Sequence, residues 1–339
     1  MKLIKNKILT NNEIEHYISE GEYAKAASSL FEQQLIKWNL LKERYDAFND
    51  VKIKEFQFDG FKIKVQYNPG RIKSSSAKID DASINNRECF LCIENLTEVQ
   101  QGILLADKYF LLCNPFPIFP QHFTISSLQH EPQNILNHLE GMLELTKHLS
   151  SEYSLIYNGP ACGASAPDHF HFQAGSKNFM LIEDDYHQLK NEYGNFILED
   201  EELMVTSVDD GLRRFLVIES TEMRKNIKVF KIFHEVYSEI SFGSIEPMFN
   251  IISTYNAEFG WSLIIFLREK HRPELFFSKG ENNILISPAA VDLGGLLIAP
   301  REKDFEKINN DLIKKIFTEV SLNDNLFNKL NRALEGIFK

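Results

Sequence analysis

Four cysteines are all that the 339 residues contain, and two of them stand in a single C-x-x-C. That is too few for a disulfide scaffold and suits a reducing compartment, so a cytoplasmic protein is expected. No run of about 18 apolar residues occurs, so no membrane-spanning helix and no membrane partner are expected. The opening Met1-Lys-Leu-Ile-Lys-Asn-Lys-Ile-Leu-Thr10 lacks an apolar core, so no secretory signal is expected either. Positive charge is also short. A net charge of −11 leaves little basic surface for a phosphate backbone, which argues against a nucleic-acid partner. A small phosphorylated ligand held by a local basic cluster remains compatible. Apolar residues are plentiful: 43% of the chain is hydrophobic and 27 residues are phenylalanine. Such a chain can bury an ample core in one large or two medium domains.

The most informative stretch is Leu155-Ile-Tyr-Asn-Gly-Pro-Ala-Cys-Gly-Ala-Ser-Ala-Pro-Asp-His-Phe-His-Phe-Gln-Ala-Gly175. It reads as an apolar strand, a small-residue loop over Gly159 to Pro167, and an alternating segment closed by Gly175. In a strand, His169, His171 and Gln173 share one face while Phe170 and Phe172 take the other. An isolated H-x-H is better read as hydrogen-bonded core. The flanking Gly-Ala-Ser loop and the following glutamine reverse that preference, because the loop's N–H groups and Ser165 suit an anion such as phosphate.

This segment resembles the H-x-H-x-Q signature of the histidine-triad superfamily's transferase and phosphorylase branch. That branch holds galactose-1-phosphate uridylyltransferases, diadenosine tetraphosphate phosphorylases and GDP-L-galactose phosphorylases. The H-F-H-F-Q-A run and the spacing from Ser165 to Asp168 are most similar to the last group. The first two groups place Pro directly before the first His, whereas here Asp168 follows Pro167. The resemblance implies an α+β fold: a histidine-triad-like antiparallel sheet with flanking helices, in two such halves.

Earlier in the chain, residues 12–49 read as helix with a break at Gly21, since Leu30, Phe31, Leu35, Trp38, Leu41 and Tyr45 recur at helical spacing. Residues 51–67 alternate around Asp59-Gly60 as a hairpin. The hairpin leads into Asn68-Pro-Gly-Arg-Ile-Lys-Ser-Ser-Ser-Ala-Lys78, which offers a phosphate clamp through Arg71, Lys73 and Lys78. A solvated basic loop would have the same composition. The Q-x-N-x-G-R pattern also resembles the GDP-L-galactose phosphorylases, which favours Arg71 as a substrate contact. Cys89-Phe-Leu-Cys92 is shared by zinc sites and redox pairs, and no thioredoxin-like βαβ context surrounds it. Residues 109–126 read as strand, Pro-rich turn, strand, and Glu131-Pro132 opens a helix.

In the uridylyltransferases a C-x-x-C, a His at this helix start and the first His of H-x-H hold a zinc. Cys89, Cys92, His130 and His169 fall on those places, so a structural Cys₂His₂ zinc (or iron) is implied. The GDP-L-galactose phosphorylases do not keep the cysteine pair, so the two resemblances disagree about metal. Cys113 and Cys162 read as small core residues.

After Gly175, residues 183–185 and 198–202 are acidic and read as loops. The expected division is an N-terminal helical segment (1–50), a catalytic half (51–197) and a C-terminal α+β half (198–339) completing the site. A hairpin about Asp209-Asp210-Gly211, a helix over 221–240, strands at 249–255, 261–268, 274–277, 284–287 and 296–299, and helices at 302–320 and 322–338 follow. Arg268, Lys270, His271 and Arg272 end a strand, and that cluster of four possible cations is expected to contact phosphate.

The resemblance implies nucleotidyl transfer through a covalent intermediate, with His171 as nucleophile. Gly163, Ser165, Asn158 and Gln173 would surround the nucleotide's phosphate. Gln173 cannot protonate a leaving group as a histidine there could. A leaving group that departs unprotonated is therefore expected, with a nucleoside diphosphate sugar or dinucleoside polyphosphate as donor. Phosphate or a sugar phosphate would be the acceptor. A homodimer is allowed. A nucleotide sensor without turnover, or a zinc-stabilised interaction module, are the alternatives.

Overall fold

Most stretches expected as strands are strands, and the central ones are continuously apolar because the sheet is buried on both faces. The computed structural model describes residues 6–76, 83–84, 87–241 and 246–338, without the side chains of Lys73 and Ser74. Ten strands form one antiparallel sheet: β3 (Gly102–Leu105), β4 (Tyr109–Cys113), β5 (His122–Ser127), β6 (Tyr153–Asn158), β7 (His171–Ser176), β8 (Gly194–Glu199), β9 (Leu203–Asp209), β10 (Arg214–Ser220), β11 (Phe249–Asn256) and β12 (Gly260–Leu267). Their spatial order is β3-β4-β5-β7-β6-β11-β12-β10-β9-β8. Read from either edge inwards, the order is the same: three strands in sequence, then the fifth, then the fourth. The halves meet where β6 and β11 pair antiparallel, with Ile156 opposite Ile252. Each half also carries a helix before its inner strand, Leu139–Leu149 before β6 and Met223–Ile240 before β11. The fold is thus α+β, with a duplicated five-stranded unit.

One face of the sheet buries Tyr109, Phe123, Phe170, Phe172, Leu216, Ile251 and Leu263 against those two helices, Tyr23–Lys37 and Asp324–Phe338. The other buries Ile156, Val217, Ile252, Ile264 and Phe266. It is covered by the helices Ile182–Tyr193 and Asn310–Val320 and by a second sheet, β1 (Lys52–Gln57), β2 (Lys62–Tyr67) and β13 (Leu296–Ala299). In that sheet β13 pairs parallel with β2, so a strand near the C-terminus locks the early hairpin. Among the described residues no helix is long and apolar enough to cross a membrane.

Several local expectations are corrected. Residues 183–185 are no loop; they form the first turn of Ile182–Tyr193, where acidic side chains complement the helix dipole. The expected boundary at 197 falls inside β8, the outer strand of the second half. Residues 274–277 are a helical turn, set by Pro273 at its N-cap. Residues 284–287 alternate in burial as a strand would, with Ile284 and Ile286 inside. Among the described residues no ladder partner adjoins them: Ile284 N–H goes to the Leu275 carbonyl and Leu285 N–H to the Asp304 carboxylate. Gly21, at φ +72°, does separate two N-terminal helices, and Trp38 makes a second break before Asn39–Phe48.

Candidate active site

Alternation along β7 turns His171 and Gln173 away from Phe170 and Phe172 and towards a cleft of about 550 Å³. That volume lies within the range usual for small-ligand sites. Trp38, Leu40, Phe90, Leu112 and Phe116 give it an apolar wall, and His171 stands at its floor. The His171 ring is 3% exposed, and its Nδ1–H donates to the His169 carbonyl at 2.9 Å. This hydrogen bond fixes the tautomer and leaves Nε2 as the ring's lone-pair atom. Burial, with the nearby His169 also contributing, pushes the imidazole pKa down to about 4, so the ring is neutral at physiological pH.

Gln173 is oriented by a residue that sequence reasoning had read only as part of a strand. His122 Nε2–H donates to Gln173 Oε1 at 2.8 Å, which leaves the Gln173 NH₂ as the donor. His122 is fully buried, and burial, then the Arg71 charge, press its pKa down to about 3.

The small-residue loop between β6 and β7 folds back over this floor. Gly163 sits at φ +121°, and a Cβ there would come within 2.7 Å of Ala289 Cβ. Two buried polar residues from the second half tie the loop down. Asn250 donates to Asn158 Oδ1 at 2.8 Å and to the Cys162 carbonyl at 2.7 Å. Arg268, 1% exposed, donates to Asn250 Oδ1 at 2.6 Å and to the carbonyls of Pro288, Lys270 and His271.

A second, polar cavity of about 70 Å³ adjoins the cleft and shares Arg71, Ser165 and Gln173 with it. Asn158, Gly163, His271 and Arg272 line it as well. Arg71 donates to the Phe116 carbonyl at 2.8 Å; burial lowers its pKa to about 10, which still leaves it charged. Arg272 donates to Ser287 Oγ at 3.0 Å and lies over the Phe276 ring at 4.2 Å. Burial pushes His271 down to about 3. Two guanidinium groups lining one cavity with Ser75, Ser165 and Ser287 supply the donor chemistry that an anion would need. Lys270 is turned elsewhere, 3.2 Å from Glu319. The Lys73 side chain and Lys78 lie outside the described residues.

Cys89, Cys92, His130 and His169 come together, their donor atoms all within 4.8 Å of one another. His169 Nδ1 lies 3.3 Å from Cys89 Sγ and 3.5 Å from Cys92 Sγ, and His130 Nδ1 lies 3.3 Å from Cys92 Sγ. A zinc tetrahedron with Zn–S about 2.3 Å and Zn–N about 2.0 Å needs S···N edges of roughly 3.5 Å, so the set fits such an ion. The outer ring nitrogens are also partnered. His169 Nε2–H donates to the Ser127 carbonyl at 2.9 Å, and His130 Nε2 faces Asp168 at 3.8 Å. Metal-binding histidines commonly have such supports.

The duplicated sheet, with its H-x-H-x-Q segment beside a glycine-containing loop, has the histidine-triad-like fold. More narrowly, residues 190–338 match the family described as "GDPGP1-like, C-terminal domain", and residues 30–176 match "Domain of unknown function (DUF4922)". Yeast Ap4A phosphorylase Apa2 shares the fold over 84% of this chain and 94% of its own, at 15% identity and a TM-score of 0.51. A DUF4931 family protein from Bacillus cereus overlaps 50% of this chain and 86% of its own at 14% identity. Its TM-score of 0.38 carries no weight. No curated protein matches the sequence.

Beyond His122, the sequence gives no sign of Asn250, and Arg268, expected among the phosphate-contacting cations, instead holds Asn250 and three backbone carbonyls. Sequence reading also missed the cleft's apolar wall. Trp38 looked like one more residue of a packing helix, and only the helix break at that point turns it into the cleft.

Proposed function

We propose that this protein is a nucleotidyltransferase of the phosphorylase type, working through a covalent bond between a nucleotide and His171. The observation that carries the reading is a neutral, tautomer-fixed imidazole where an apolar cleft meets an arginine-lined polar cavity. The nucleoside would occupy the cleft and the phosphates would reach towards the cavity. Nε2 of His171 donates its lone pair to the α-phosphorus, the N–P bond forms, and the leaving group departs with the P–O electron pair. The Gln173 NH₂, the Ser165 hydroxyl and N–H groups near Gly163 hold the non-bridging oxygens, and Arg71 and Arg272 hold the departing phosphate. In-line positioning and charge stabilisation supply most of the rate in such chemistry. Neither Gln173 nor the neutral His122 offers an acidic proton, which suits a leaving group stable as an anion. Phosphate or a sugar phosphate then attacks the same phosphorus and frees His171.

Cys89, Cys92, His130 and His169 would hold zinc, or iron. The ion would be structural, anchoring the residue two positions before the nucleophile. The reading is tested by mixing the protein with nucleoside diphosphate sugars or dinucleoside polyphosphates labelled at the α-phosphorus. Acid-labile, base-stable label on the wild type that disappears in His171→Ala supports it. Equal labelling of a folded His171→Ala overturns it.

A further inference from the structure

The β6–β7 ladder closes normally from Tyr153↔Ser176 to Ile156↔Gln173 and then opens. Continuing the register, Asn158 would stand opposite His171, but the strands part to enter the loop of residues 159–170. The nucleophile thus sits two residues beyond the last pair on that side, where its strand has lost its inner neighbour. A fraying strand end is a poor place for a group that needs sub-ångström placement.

The gap is filled by a side chain. Gln133, 2% exposed, accepts the His171 backbone N–H on its Oε1 at 2.9 Å. Its Nε2 donates to the His171 carbonyl at 2.8 Å and to the Asn158 carbonyl at 3.0 Å. An antiparallel neighbour would exchange the same two bonds with His171, so the carboxamide replaces the missing peptide unit. Gln133 is itself held, because its backbone N–H donates to the Pro167 carbonyl at 2.9 Å. Two residues on, Ile135 N–H donates to the buried Glu246 carboxylate at 2.8 Å, and Glu246 also accepts from Tyr157 at 2.5 Å. The clamp is therefore fastened to both strands and to the second half of the chain.

We infer that Gln133 is a positioning residue for His171: its amide stands in for a strand and holds the nucleophile's backbone on the cleft floor. The inference rests on the nucleotidyl-transfer reading, and it makes a distinct demand. Gln133 touches neither cavity, so removing its amide should spare ligand affinity and slow the covalent step. Only glutamine gives one acceptor and two donors at this reach; glutamate of equal length sets a carboxylate against two carbonyls.

The test compares Gln133→Ala and Gln133→Glu with wild type in single-turnover labelling at saturating donor, alongside donor Kd and metal content. Labelling in both variants is expected to slow about 100-fold, with Kd within about 3-fold and metal retained, since small misplacements cost that much. A rate within about 3-fold of wild type, or parallel loss of rate, affinity and metal, overturns the inference. A second readout is the His171 ring in ¹⁵N-histidine NMR, expected to broaden or split in Gln133→Ala. If the wild type labels with no donor, the functional reading fails. The NMR arm then still decides: an unchanged, sharp His171 signal overturns the clamp.

Discussion

Between β6 and β7 the chain wanders through residues 159–170, whereas between β11 and β12 it turns back within 257–259. The frames around these hairpins are alike. Ile156 and Ile252 face each other at the centre, and their outward neighbours are Gln173 and Ile264. Two residues earlier on each outer strand stand His171 and Ser262. On the second side the position is filled for packing: Ser262 Oγ meets the Tyr186 hydroxyl at 3.0 Å beneath the helix Ile182–Tyr193, and Ile264 is in the core. On the first side the long loop holds the covering layers apart and a cleft remains. The comparison teaches that a duplicated sheet provides two equivalent floors, and loop length decides which one stays open. The closed half still contributes, since Asn250 and Arg268 hold the open half's loop.

The sharpest break of this contrast is a pair of equivalent substitutions. His171→Ala should reduce nucleotidyl labelling by at least about 10⁴-fold. Ser262→Ala should leave labelling within about 2-fold and cost about 1 kcal/mol of stability in denaturant melts, as expected for one lost hydrogen bond. A large labelling defect in Ser262→Ala would mean the halves are not divided as described.

Among the described residues, the cysteine and histidine cluster belongs to the first half. Cys92→Ser, or prolonged chelation, should remove a stoichiometric zinc or iron measured by elemental analysis and lower Tm by several degrees, because a structural ion contributes folding free energy. Wild-type protein purified without metal and with an unchanged Tm would remove the ion from the account.

Support from the second half is tested by Asn250→Ala, which removes one donor from Asn158 Oδ1 and one from the Cys162 carbonyl together. Labelling at saturating donor should fall about 10- to 100-fold while metal content is unchanged. Glycines give a smaller version of the same contrast. Gly163→Ala adds a methyl against Ala289, whereas Gly211→Ala, at φ +82°, meets nothing within 4 Å. The first should weaken donor binding measured by titration; the second should cost only about 1–2 kcal/mol of backbone strain and leave binding intact.

The smallest effect is a pH dependence. β10, the counterpart of β5, carries no histidine, whereas β5 buries His122 with its pKa pushed down to about 3. Between that value and the unfolded value near 6.5, the unfolded chain holds a proton that the folded chain refuses. Stability from this group is therefore lost as pH falls through that window, by about 1.4 kcal/mol per unit. His122→Gln keeps a donor for Gln173 and should gain relative to wild type by that slope below pH 6.5 in melts at pH 7, 6 and 5. Parallel curves would show that His122 does not titrate as its burial requires.

Much of the first half was legible in the sequence because its information is local. Alternation placed His171 and Gln173 on one face and the phenylalanines on the other, and the structure keeps that division. The cysteine pair and the two histidines were read as one set on a resemblance, and folding brings their donor atoms together. Arg71 and Arg272, drawn from segments two hundred residues apart, line the same polar cavity. Other features were not legible, because side-chain partners across strands leave no periodic trace. Asn250 looks like an ordinary strand residue, Arg268 like one more cation at a strand end, His122 like the start of a strand, and Gln133 like part of the first turn of a helix. Lys270 looked like a phosphate ligand beside Arg272, yet the strand end directs it to Glu319.

The sequence by itself determined the strand periodicity, the small-residue loop and the pairing of a nucleophile-type histidine with a following glutamine, because each is written in contiguous residues. Tertiary structure alone decided which half kept a cleft and which carbonyl fixed the His171 tautomer. It also decided that a glutamine from outside the sheet completes the sheet's hydrogen bonding. Those outcomes depend on how distant segments share space and satisfy buried polar groups, and no single stretch of chain encodes that.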